Sequence, residues 1–230
     1  TNLHALRNAA RKETRALAEE RAKHPFDDIE TAPLDYLPKA WSEPYGTLQD
    51  TVYEVYDLQA IRIDGAAEHP TALVQSAAMA SVPPPVPSYR PVLPKTLVRD
   101  GLLSAPQLES VIYAGNAHET HLKGLFKRGE IEGQLIAAAE GDEGAFRLRK
   151  GWFLGDGTGC GKGRQVAGII LDNWLQGRRR SVWVSKSDKL IEDARRDWMA
   201  LGGRESDIVP LSKFRQGSDI RLPEGILFVT

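Results

Sequence analysis

Four glycines and one lysine lie close together in residues 157–163, which read GTGCGKG. An apolar segment at 152–154 (WFL) precedes them, and a helical pattern over 164–176 (RQVAGIILDNWLQ) follows. A glycine-rich turn between a strand and a helix directs backbone N–H groups at an anion, and the positive end of the helix faces the same point. The pattern therefore predicts a phosphate loop, and with it an α/β fold in which a strand leads into that loop.

The predicted ligand of this loop is a nucleoside triphosphate, ATP, together with Mg²⁺. Lys162 would bring a positive charge to the β- and γ-phosphates, and it is the predicted catalytic residue. The loop departs from the common pattern at Asp156, where glycine is usual, and at Gly163, where a serine or threonine hydroxyl normally binds Mg²⁺. A water or another residue must replace that hydroxyl. The predicted nucleotide-binding residues of the loop are Asp156, Gly157, Thr158, Gly159, Cys160, Gly161, Lys162, Gly163 and Arg164.

The alternative interpretation of the loop is a glycine-rich turn that contains a lysine by chance. The density of glycines between a strand pattern and a helix pattern disfavours it. Cys160 is the single cysteine of the chain and is interpreted as a small residue that fits the loop. With one cysteine there is no internal disulfide framework.

The hydrophobic pattern predicts a series of further helices and strands. Helices are predicted over 3–23, 71–80, 164–176 and 188–201, and another from the N-cap Ser104 to about Gly115. Strands are predicted within 52–63 and at 152–154, 182–184, 208–211 and 226–229, and the strand at 182–184 is expected to be buried. Asp188 is the expected N-cap of the 188–201 helix. Strands that alternate with helices after residue 150 predict a parallel sheet.

The prolines within residues 82–91 exclude both a helix interior and the centre of a sheet, so this segment is predicted to be an extended connector. It divides the predicted domains: a mixed N-terminal extension over 1–95 and the nucleotide-binding domain over 96–230.

Composition excludes several other classes of protein. The net charge of −1 indicates no global positive field of the kind that marks many nucleic-acid-binding domains. No apolar run approaches the roughly 20 residues that span a bilayer, and no signal-peptide core is found, so the cytoplasm is the expected compartment. His118 and His121 offer too few ligands for zinc, and no metal site built from side chains alone is predicted.

Three stretches resemble the strawberry-notch-like helicase family of bacterial type: ALVQSAAMASVPPPVPSYRPVLP at 72–94, LSAPQLESVIYAG at 103–115, and GWFLGDGTGCGKGRQVAG with its continuation to residue 198. The resemblance covers about residues 40–230. It implies a P-loop NTP hydrolase of the superfamily-two helicase type with a RecA-like lobe. It also implies action on DNA, since bacterial relatives often sit in large proteins with DNA-methylase modules. The family's own loop is similar to Gly161-Lys162-Gly163-Arg164.

The resemblance also suggests roles for residues outside the loop. Gln107 matches the adenine-reading glutamine of such enzymes, and its alternative role is a capping residue at a helix start. Ser185, Lys186 and Ser187 match the segment that touches the nucleic-acid backbone. Their alternative role is a strand-to-helix cap with an exposed lysine.

Hydrolysis in this class needs an apolar strand ending in Asp-Glu and a second lobe that supplies an arginine finger. Neither occurs in residues 1–230, so the sequence is interpreted as the truncated first lobe of a longer enzyme, with little hydrolysis of its own. The alternative is a non-catalytic interaction module, similar to a transcription regulator, in which the nucleotide loop is structural.

Overall fold

The computed structural model describes residues 23–42 and 52–230. The helix predicted over 3–23 lies outside these residues except for Lys23. No helix within the described ranges is long and apolar enough to cross a membrane.

The first part of the chain forms short strands and two short helices. They are β1 (Thr31–Pro33), β2 (Leu37–Pro38), β3 (Tyr53–Val55), β4 (Ile61–Arg62), β5 (Val74–Ser76), α1 (Ala77–Ala80), β6 (Val92–Pro94) and α2 (Lys95–Arg99). The strands pair antiparallel as β1–β6, β2–β4 and β3–β5. The strands predicted within 52–63 are confirmed. The helix predicted over 71–80 is wrong in its first half, because residues 74–76 pair with β3 instead.

The next helix, α3 (Ala105–Glu119), begins where the sequence predicts but continues beyond Gly115. A Cβ at Gly115 would lie 2.0 Å from Cε1 of Tyr89, so this glycine allows a close approach of the Tyr89 ring and does not end the helix. After α3, the antiparallel hairpin of β7 (Leu125–Arg128) and β8 (Leu135–Ala138) occupies a stretch for which the sequence predicts no element.

The last part of the chain carries the predicted alternation of helices and parallel strands. It contains α4 (Lys162–Leu175), β9 (Arg180–Val184), α5 (Ile191–Met199), β10 (Ile208–Pro210) and β11 (Gly225–Val229). The sheet has the order β10-β11-β9, and both pairs are parallel. This confirms an α/β arrangement with a parallel sheet for residues 162–229.

Three details of this region correct the sequence predictions. The segment 152–154 is not a strand: no described strand pairs with it, and Phe153 is 88% exposed. Strand β9 is not buried, since Val182 and Val184 are 62% and 72% exposed and only the opposite face packs on the helices. A 3₁₀ turn (Asp188–Leu190) precedes α5, and its N-cap is Ser187, whose Oγ accepts a hydrogen bond from the Lys189 N–H at 3.4 Å, and not Asp188.

One hydrophobic cluster includes buried residues from both sides of the predicted boundary at residue 95. Phe26 stacks edge-on against Trp198 of α5, with ring centroids 5.5 Å apart. The carboxylate of Asp207 accepts a hydrogen bond from Trp198 Nε1 at 2.7 Å and lies 3.0 Å from Nε2 of His24. The N-terminal segment is thereby attached to the helices behind the parallel sheet. The division at residue 95 stays a prediction.

Candidate phosphate-binding site

The glycine loop runs directly into the first turn of α4. Gly159 and Gly161 have φ values of +91° and +70°, a left-handed conformation that favours glycine. Gly161 is also the N-cap of α4, and a Cβ there would lie 2.4 Å from Nε2 of Gln107. The first N–H groups of a helix have no partner within the helix. A 14-residue helix that begins at an exposed glycine loop therefore offers free donors and a positive dipole end to an anion.

Lys162 is the first residue of α4, and its ammonium closes the loop. Its Nζ donates hydrogen bonds to the carbonyl oxygens of Asp156 at 2.8 Å and Gly157 at 2.6 Å. Phosphate oxygens would compete with these carbonyls as acceptors, and a charge-assisted bond to phosphate is the stronger of the two. The lysine is thus positioned to exchange loop carbonyls for phosphate.

Gln165 holds the two ends of the loop together and was not among the residues that the sequence predicted for the site. Its buried amide donates to Asp156 Oδ2 at 2.9 Å and to the carbonyl oxygen of Cys160 at 3.1 Å. Only one signal pointed to it: a glutamine within the apolar pattern of a helix needs a partner when it is buried.

Gln107 contacts both the start of α3 and the loop. Its Oε1 accepts the backbone N–H of Ser104 at 3.0 Å, and its Nε2 lies 3.5 Å from the carbonyl oxygen of Cys160. The capping interpretation of Gln107 is therefore confirmed in the structure. Its role in reading adenine stays a prediction.

Comparison with known proteins decides the family. The profile of the family described as "P-loop containing NTP hydrolase pore-1" matches residues 68–230. The chain belongs to this family. It is a strawberry-notch-like P-loop domain, as the resemblance predicted.

Three curated relatives illustrate the similarity. Protein strawberry notch homolog 1 of Gallus gallus is 34% identical over 175 residues, which are 74% of this chain and 12% of that protein. Protein strawberry notch of Drosophila melanogaster is 35% identical over 185 residues, which are 78% of this chain and 10% of that protein. Protein strawberry notch homolog 2 of Homo sapiens is 38% identical over 163 residues, which are 71% of this chain and 10% of that protein. The chain thus spans only 10–12% of the length of these relatives. No solved structure matches the chain.

A carboxylate from another helix lies beside Gly163, the residue at which the P-loop usually carries a hydroxyl. A Cβ built on Gly163 would lie 2.1 Å from Oδ2 of Asp197, which belongs to α5. Arg164 joins the same contact, with its Nε 3.5 Å from Asp197 Oδ1, and its Nη1 donates to the carbonyl of Leu102 at 3.1 Å. Arg164 therefore links α4 to its neighbours, and its contact with a nucleotide stays a prediction.

A cavity of about 510 Å³ opens beside the loop. Segments from the N-terminal part of the chain, from α3 and from the loop itself line it, including Tyr56, Met79, Ser110, Phe153, Gly155, Asp156 and Cys160. Its walls are mainly apolar with a few polar groups, which is typical of small-molecule sites. The sequence did not point to Tyr56 or Met79, because nothing in their local pattern shows which part of the chain they will face.

Glu109 of α3 is buried close to this cavity. The Tyr56 hydroxyl donates a hydrogen bond to its carboxylate. Burial raises the pKa of Glu109 to about 7, and the nearby charges of Asp57 and Asp156 act in the same direction. The protonation state of Glu109 therefore changes near neutral pH, and the charge of Asp156 in the loop influences it.

Ser185, Lys186 and Ser187 form a separate group at the carboxyl end of β9. The Ser185 N–H donates to the Val229 carbonyl at 2.8 Å, and the Ser187 hydroxyl caps the following turn. Lys186 is exposed, and within the described residues it has no ion pair. The Lys186 side chain is therefore available to a phosphate; the contact itself stays a prediction.

Proposed function

We propose that this chain is the ATP-binding, N-terminal portion of a DNA-acting, ATP-dependent helicase or translocase of the strawberry-notch type. The observation that supports it most directly is the arrangement of Lys162 at the first turn of α4 behind a left-handed glycine loop. Membership of the P-loop NTP hydrolase family agrees with it. In this proposal residues 96–230 belong to a RecA-like lobe.

The residues around the loop suggest how ATP would bind. The loop and the first turn of α4 would hold the phosphates, and Lys162 would balance their charge. The adjoining cavity would take the base, with Tyr56, Met79 and Phe153 as apolar contacts. Mg²⁺ bound with the nucleotide would neutralise phosphate charge. We continue to expect that residues 1–230 alone hydrolyse little ATP.

Replacing Lys162 with alanine is expected to weaken ATP binding about 10- to 100-fold, because a hydrogen bond to a charged group contributes roughly 1.5–3 kcal/mol. Calorimetric titration of the purified protein with Mg-ATP measures it, after circular dichroism shows that the variant is folded. Lys213→Ala, which changes an exposed lysine outside the loop, is the matched control and should bind as the wild type does.

The alternative, a structural loop in a non-catalytic interaction module, has one observation in its favour. Lys162 already donates to two carbonyls of its own loop. A folded wild-type protein that binds no ATP would support this alternative and contradict the proposed function. Equal ATP affinity in the wild type and in Lys162→Ala would also contradict it, since the nucleotide would then bind elsewhere.

Replacing Lys186 with alanine is expected to weaken DNA binding by a similar factor for every sequence tested, since a phosphate contact reads no base. The slope of log affinity against log salt concentration should become less negative by about one. Fluorescence anisotropy with two unrelated oligonucleotides over a salt series measures both effects. Lys189→Ala, another exposed lysine of the same turn, is the control. An unchanged slope would remove Lys186 from the proposed interface.

A further inference from the structure

The contact between Gly163 and Asp197 places an acidic side chain in the space of the usual P-loop hydroxyl. The Oδ2 atom of Asp197 lies 2.1 Å from the position of a Cβ on Gly163. A serine or threonine at 163 would place its hydroxyl one bond beyond that Cβ. The carboxylate oxygen therefore stands within about a bond length or two of where a side-chain oxygen would otherwise bind Mg²⁺.

This carboxylate is only partly satisfied by its neighbours. Arg164 Nε is 3.5 Å from Oδ1 and Arg196 Nε is 3.9 Å from it, which are ion-pair distances and too long for good hydrogen bonds. Arg164 Nε is itself buried without a hydrogen-bond partner in the described part of the chain. The other oxygen, Oδ2, faces Gly163, and no donor among the described residues forms a hydrogen bond to it. The two guanidinium groups lie at ion-pair distance from Oδ1, and Oδ2 is left as an acceptor that a cation can approach.

The chemistry of the position fits Mg²⁺. This ion prefers oxygen ligands and is usually held by one or two carboxylates together with substrate phosphates and water. Asp156, the acid within the loop itself, already uses one carboxylate oxygen to accept a hydrogen bond from the Gln165 amide. Glycine at 163 is explained by the same contact, because any larger side chain would displace Asp197.

We infer that Asp197 supplies to Mg²⁺ the side-chain oxygen that Gly163 lacks, as a direct ligand of the metal bound with ATP. The inference rests on the proposed function, since it requires ATP at the loop. It gives α5 a role in the nucleotide site and explains how a P-loop without a hydroxyl retains a metal ligand.

The test compares ATP affinity in excess Mg²⁺ with ATP affinity in EDTA, by calorimetry on the purified protein. The ratio of the two is the coupling between metal and nucleotide. Asp197→Asn is expected to lower this ratio about 10-fold or more, since substitutions of outer-shell partners at metal sites already cost about 10- to 100-fold. Affinity in EDTA should stay the same or improve, because a negative charge near the phosphates has been removed. Glu192→Gln, an exposed acid on the same helix paired with Arg195, should keep the wild-type ratio.

A second measurement separates a metal ligand from an acid that only positions the loop. With Mn²⁺ in place of Mg²⁺, water proton relaxation counts the water molecules bound directly to the metal in the ATP complex. Direct ligation predicts one additional water in Asp197→Ala, since this variant has no side-chain oxygen and water fills the coordination position that is lost. An unchanged water count in that variant would overturn the inference, even if the coupling falls.

A pair of double variants tests the geometry. Gly163→Ser combined with Asp197→Ala creates the usual hydroxyl and removes the side chain that would clash with it, so the coupling should recover relative to Asp197→Ala. Gly163→Ala combined with Asp197→Ala supplies the Cβ without the oxygen and should not recover it. Wild-type coupling in Asp197→Asn would overturn the inference while leaving ATP binding intact. Absence of ATP binding under every condition would instead contradict the proposed function, and the inference with it.

Discussion

As the pH rises from 4.5 to 7, ionisation of Glu109 is expected to lower the free energy of unfolding of the wild type by about 3 kcal/mol. Replacing Glu109 with glutamine should abolish this decrease. Glu109 is only 7% exposed, and its carboxylate accepts the Tyr56 hydroxyl. Burial disfavours the charged form and raises the pKa from 4.5 to about 7. Glutamine keeps a carbonyl oxygen for Tyr56 and carries no charge at any pH.

The sign of the effect follows from proton binding. Between the two pKa values the unfolded chain has lost this proton while the folded protein retains it, so the free energy of unfolding falls as the pH rises. The stabilisation is complete below pH 4.5 and is lost by the time the pH has passed 7. The stability difference between Glu109→Gln and the wild type should therefore grow in favour of the variant by about 3 kcal/mol across this range.

Urea unfolding of both proteins at intervals between pH 4.5 and 8 measures this difference, and other titrating groups cancel in the comparison. Glu119→Gln, at the exposed end of the same helix, is the control and should give a flat difference. Two parallel stability profiles for Glu109→Gln and the wild type would show that Glu109 ionises normally in the folded protein.

The parts of the structure that the sequence predicted well have strong local signals. Helix α4 follows a glycine loop and carries an apolar face, and β9, β10 and β11 are short apolar runs, of which β9 and β10 are separated by α5. Such signals depend on residues within one element. They predict the structure correctly here because the tertiary contacts favour the same elements.

The wrong predictions arose where a distant contact decided the outcome. Gly115 lies inside α3 because the Tyr89 ring packs on it. The segment 152–154 has the composition of a strand, yet a strand also needs a partner with which to pair. Its neighbours along the chain contain no information about that partner.

The same limit applies to the candidate site. The loop from Asp156 to Gly163 could be recognised because its spacing reflects the geometry of phosphate binding. Tyr56, Glu109 and Asp197 come to the loop from three different segments, and no local pattern links them to it. Only the packing of the helices shows that an acid on α5 stands beside the glycine at the hydroxyl position.

Replacing Asp172 with alanine is expected to lower the free energy of unfolding by about 3 kcal/mol, through the loss of a buried acceptor. The Asp172 carboxylate accepts the Tyr89 hydroxyl at 2.5 Å, the Val92 N–H at 2.7 Å and the Gln176 amide at 2.8 Å. The bonds from Tyr89 and Val92 join the end of the proline-rich connector and the start of β6 to α4. Burial raises the pKa of Asp172, although all three donors favour its charged form. Without the carboxylate, the Tyr89 hydroxyl and the Val92 N–H lose their acceptor within the protein, whereas Gln176 still donates to the Tyr89 oxygen at 2.7 Å.

Urea unfolding of Asp172→Ala, Tyr89→Phe and the double variant measures the cost and its origin. Tyr89→Phe removes one donor and should cost about 1 kcal/mol, and in its presence Asp172→Ala should cost less, because one fewer donor is left without a partner. ATP affinity should be unaffected, since Asp172 lies about 15 Å along α4 from the first turn. A loss of ATP binding in a folded Asp172→Ala protein would show that the connector contact shapes the phosphate loop. A stability equal to that of the wild type would show that water replaces the carboxylate, so that the connector is held to α4 by its apolar contacts alone.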